Sequence, residues 1–131
     1  MSSIAPFKGY IPSQDFADQI PSPPYDVLNT DEAQQLLEEN DKSFLKIIKP
    51  ETQFSNPNQD SKTLHEKASS LFKAMIRNSD LIQTKKDAFY IYKISTQNHT
   101  QTGIVAGFSI DEYEKGKIKK HELTREKKEI D

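Results

Sequence analysis

"DSKTLHEKASSLFKAMIRN" fills residues 60–78, and its reading decides what kind of fold surrounds it. Leu64, Ala68, Leu71, Phe72, Met75 and Ile76 recur at the spacing of one face of an α-helix. Asp60, Ser61 and Thr63 are candidate caps, because a short oxygen-bearing side chain can accept from an otherwise unpaired first-turn amide. The pattern predicts a helix ending near Asn78. His65 lies beside the apolar stripe, where a surface position is expected, and no partner stands at metal-ligand spacing.

Two segments downstream change period from helical to alternating. "AFYIYKI" (88–94) is rich in aromatic and β-branched residues, which suit a pleated strand. "TGIVAGFSI" (102–110) puts Ile104, Ala106, Phe108 and Ile110 on one face and Val105, Gly107 and Ser109 on the other. "STQNHTQ" between them fits a hairpin loop. Gly107 either admits a close neighbour, backbone or ligand, or reflects simple packing. "DEYEKG" predicts a turn or a single helical turn, with Gly116 placed to reverse the chain.

Upstream, all seven prolines fall within the first 57 residues, so long regular elements are disfavoured there. "IAPFKGYIP" predicts an extended segment with a short edge strand. In "SPPYDVL" (22–28), consecutive prolines fix Tyr25 and Asp26 at a defined place. Two readings stand: a stiff connector with the tyrosine packed on the core, or residues lining a site. Asn29 or Thr30 caps a helix to about Asn40, with Glu32 completing a capping box. "SFLKIIKP" (43–50) is short, apolar and β-branched, which predicts a buried strand.

The expected fold is therefore α+β. One mixed or antiparallel sheet of three to five strands is covered by two main helices, with a proline-rich N-terminal segment and a short C-terminal helix. At 131 residues, the chain suits a single domain. Apolar residues make up 34% and charged residues 29%, so much of the surface is solvated. There is no apolar run of membrane-spanning length, no secretory leader pattern at the start, and no cysteine. A cytoplasmic location is the expectation. The formal charge of −2 speaks against a dedicated nucleic-acid binder, so nucleic acid is not an expected partner.

The end of the chain, "KIKKHELTREKKEID" (117–131), carries six Lys/Arg against four Asp/Glu. Thr124 can cap a helix beginning at Arg125, which predicts a short terminal element. It concentrates Lys119, Lys120, His121, Glu122, Thr124 and Arg125. A carboxylate among cations stays ionised and can accept a hydroxyl proton. Lysines and a forked arginine hold phosphate oxygens, and a helix N-terminus adds amide donors. This is a half-site suited to phosphoryl transfer, against the plain alternative of a solvated charged tail. Phosphate-loop, dinucleotide-binding, nucleophile-elbow and H-E-x-x-H patterns are all absent from the sequence.

The stretches "PFKGYIPS", "SPPYDVLNTDEA", "SFLKIIKPE", "YIYK" and "QTGIVAGFSIDEYEKGKIKKHELTREKKEID" together resemble the N-terminal segment of the family called domain of unknown function 1015. That family is similar to the ParB/sulfiredoxin-like group, which includes free serine kinases. The resemblance implies Glu122, paired with His121, as general base toward a serine-like hydroxyl. Lys119, Lys120, Thr124, Arg125, Tyr25 and Asp26 are then the implied phosphate- and substrate-binding residues. It also implies nucleotide and Mg in the full-length protein, held with an Asp-Gly-His-His-Arg box that is not in these 131 residues. The implied reading is the N-terminal part of a longer kinase, inactive as it stands, with no metal or cofactor site of its own. The alternative is a non-catalytic binding or regulatory module of ParB-like type. A homodimer through surface that the rest of the protein normally covers is a further expected partner.

Overall fold

The computed structural model describes residues 3–119. In chain order the elements are β1 (Ile4–Ala5), β2 (Tyr10–Pro12), a 3-10 turn (Gln14–Phe16), α1 (Thr30–Glu39), α2 (Leu45–Ile48), a second 3-10 turn (Pro50–Gln53), α3 (Ser61–Arg77), β3 (Leu81–Gln83), β4 (Tyr90–Ser95), β5 (Thr100–Val105), β6 (Gly107–Phe108) and α4 (Ile110–Glu114). The class is α+β with small antiparallel sheets. The strands form three two-stranded pairs, β1–β6, β2–β3 and β4–β5, rather than the single larger sheet expected. The physical reason is strand length: among the described residues, four of the six strands span two or three residues, too few to recruit further neighbours. Two compact units result, one made of residues 10–84 and one of residues 1–9 with 85–131.

The 10–84 unit is built around α3. Asp60 caps it, its carboxylate accepting from the Thr63 amide at 3.0 Å and from the Thr63 hydroxyl at 2.7 Å. Both donors favour the charged carboxylate, and they hold the Asp60 carboxyl below its ordinary value, the backbone amide contributing most. The stripe read from sequence faces inward: Met75 is buried with Ile20 and Leu81, and Phe72, Ile76, Phe16, Phe44 and Ile47 pack around them. Asn29 and Glu32 make the expected capping box on α1, each side chain bonding the other's backbone amide at 2.9 Å.

The segment 43–50 is helical at Leu45–Ile48, not a strand. Phe44, Leu45, Ile47 and Ile48 stand at i, i+1, i+3 and i+4, a spacing that one helical turn satisfies. The Phe44 amide donates to the Ile20 carbonyl at 2.8 Å, and Leu45 is fully buried. Tertiary packing thus overrides the strand preference of the two isoleucines. Pro50 then opens the 3-10 turn, where its missing N–H costs nothing.

α3 ends in a Schellman motif. The Ser79 amide donates to the Ile76 carbonyl and the Asp80 amide to the Met75 carbonyl. Ser79 holds φ +61°, the left-handed region that glycine normally fills. Asp80 is buried, and its carboxylate accepts from Lys42 at 2.7 Å. The same Lys42 ammonium lies 4.4 Å from the centre of the Phe16 ring. Ser13, also buried, donates its amide to the Asp80 carbonyl at 2.8 Å, which fixes the β2 side of this corner.

The second unit is the β4–β5 hairpin with β1, β6 and α4. Tyr90 pairs with Val105 and Ser95 with Thr100, and across the loop the Thr96 amide and hydroxyl both donate to the His99 carbonyl, at 2.7 and 3.2 Å. The strand expected over 102–110 breaks at Ala106. β5 pairs with β4, while β6 leaves it to pair with β1, and Ile110 opens a helix. At Gly107 an added Cβ would lie 3.4 Å from the Ala5 carbonyl oxygen, an ordinary contact, so the pairing with β1 does not by itself require a glycine there. Among the described residues, no helix is long and apolar enough to cross a membrane.

Candidate functional site

The chain runs from α4 into the basic terminal stretch through a capped turn. Ser109 caps α4, its hydroxyl accepting from the Glu112 amide at 3.4 Å. Glu112 in turn accepts from the Ser3 amide at 2.7 Å, tying the two ends of this unit together. The helix closes in a second Schellman motif, with Gly116 donating to Tyr113 and Lys117 to Glu112. Gly116 has φ +71°, so the reversal read from "DEYEKG" is made with the residue best suited to it. Lys119 follows, exposed.

Lys120, His121, Glu122, Thr124 and Arg125 lie outside the described residues, as does the terminal helix expected from Arg125. Tyr25 and Asp26 belong to the 10–84 unit. They occupy the two corners of a turn closed by a weak bond from the Val27 amide to the Pro24 carbonyl at 3.4 Å. Tyr25 is 50% exposed, so it is not a core residue; of the two sequence readings, packing on the core does not hold. The prolines before it give the turn its stiffness.

Elsewhere in the 10–84 unit, the outer side of α3 carries a shallow groove of about 480 Å³ lined by His65, Glu66, Ser69, Ser70, Lys73 and Arg77. His65 is exposed there, as its place beside the apolar stripe predicts. A similar depression of about 450 Å³ lies between α1 and the second 3-10 turn, around Gln34, Glu38, Thr52 and Phe54. Both are open to solvent and neither encloses a ligand on several sides. Among the described residues, no group of three His, Cys, Asp or Glu could hold a metal ion. The Lys42–Asp80 pair was not singled out from sequence. Its partners are 38 positions apart, and nothing in the local pattern around either residue announces the other.

The family model described as "Protein of unknown function (DUF1015)" matches residues 4–131. No curated protein and no solved structure matches the chain.

Proposed function

We propose, for a chain that belongs to the DUF1015 family, that it supplies the proton-accepting part of a nucleotide-dependent kinase acting on a small serine-like hydroxyl compound. The observation that carries this reading is the composition of one short stretch: the His121-Glu122 pair lies among Lys119, Lys120 and Arg125, directly after a helix that ends in a glycine-closed turn. In this reading, Glu122 accepts the substrate's hydroxyl proton. The freed oxygen bonds to the terminal phosphorus of the nucleotide as the bond to the bridging oxygen breaks, and the nucleoside diphosphate leaves with that electron pair. The lysines and Arg125 offset charge on the transferring phosphoryl oxygens. His121 is the proposed partner of the glutamate, and Thr124 a proposed phosphate-binding residue.

Magnesium bound with the nucleotide neutralises phosphate charge in such transfers. The described residues do not include a set that could hold it. Its ligands in this reading belong to the Asp-Gly-His-His-Arg box that the family resemblance implies.

The test is a phosphoryl-transfer assay on the full gene product with serine and related hydroxyl compounds, nucleotide and Mg²⁺. Wild type is expected to turn over, and Glu122→Gln to lose turnover while still binding nucleotide. Full activity in Glu122→Gln removes the glutamate from the mechanism. Nucleotide-gated, salt-sensitive DNA binding without turnover replaces the kinase with a ParB-like binding module.

A further inference from the structure

We draw no further inference here: the strongest candidate, the exposed apolar surface of the β4–β5 hairpin around Ile91, Tyr92 and Ile104, carries none because nothing in the structure shows what covers it.

Discussion

The hydroxyl of Tyr90 grips the backbone on both sides of Lys8: it accepts from the Gly9 amide at 2.6 Å and donates to the Phe7 carbonyl at 3.0 Å. Gly9 fits because it lacks a side chain; a Cβ there would come within 2.8 Å of the ring carbon that bears the hydroxyl. Tyr90→Phe removes both bonds and strands a half-buried amide, at a cost of about 1–3 kcal/mol. Gly9→Ala is destabilising too, because the ring end it strikes is held in place. Urea titration of the single and double variants checks the link. The double variant should lose clearly less than the two single losses added, since both act on one contact.

Ser79 and Gly116 occupy equivalent positions after α3 and α4, both with positive φ, and one of them is not glycine. Ser79→Gly relieves the left-handed strain and gives back some of the gain in unfolded-chain entropy. The net expectation is stabilisation by about 0.5–1 kcal/mol, read as a higher urea midpoint at unchanged slope. Gly116→Ala, the mirror experiment, should lower it.

The Asp80 carboxylate is buried, whereas Lys42 keeps about a quarter of its side chain in solvent. Lys42→Ala leaves a buried charge without its cation and removes the contact over Phe16. A loss of about 2–3 kcal/mol is expected, below that of a fully enclosed pair because water reaches the lysine side. Combining Lys42→Met with Asp80→Asn should recover part of the loss, and thermal melts of the three variants give the comparison.

The Asp60 carboxyl is held below its ordinary value by Thr63. Its stabilising contribution is therefore present above the unfolded-state carboxyl pKa and is lost as pH falls through the lower folded-state value. Asp60→Ala should melt earlier than wild type at neutral pH, and the gap should narrow on acidification. A gap that is constant from neutral pH to well below the carboxylate range contradicts the cap assignment.

The two clear helices were legible because each carries its own start signal and a long enough stripe to fix its period: Asn29 with Glu32, and Asp60 ahead of six apolar positions. The hairpin was legible from its composition. The reading failed where the segment was too short for periodicity to speak. At 43–50, four apolar residues fit either period, and burial of Leu45 decided the outcome. The break at Ala106 was hidden as well, because the partner that captures β6 lies at the other end of the sequence. For the candidate site, local order supplied the turn at Gly116 and the charged residues after it. It could not supply distances between groups on separate elements.

The residues ahead of β2 act as a clasp. Ser3 meets Glu112, Ala5 meets Gly107, and Phe7 meets Ala88. During synthesis these early residues must wait, unpaired, for partners more than eighty positions behind them, while the contiguous stretch from Tyr10 to Thr84 can close first. Bulky tags joined at the amino terminus, or proteolytic trimming of a few residues there, are thus expected to unfasten the hairpin unit while sparing the helical one.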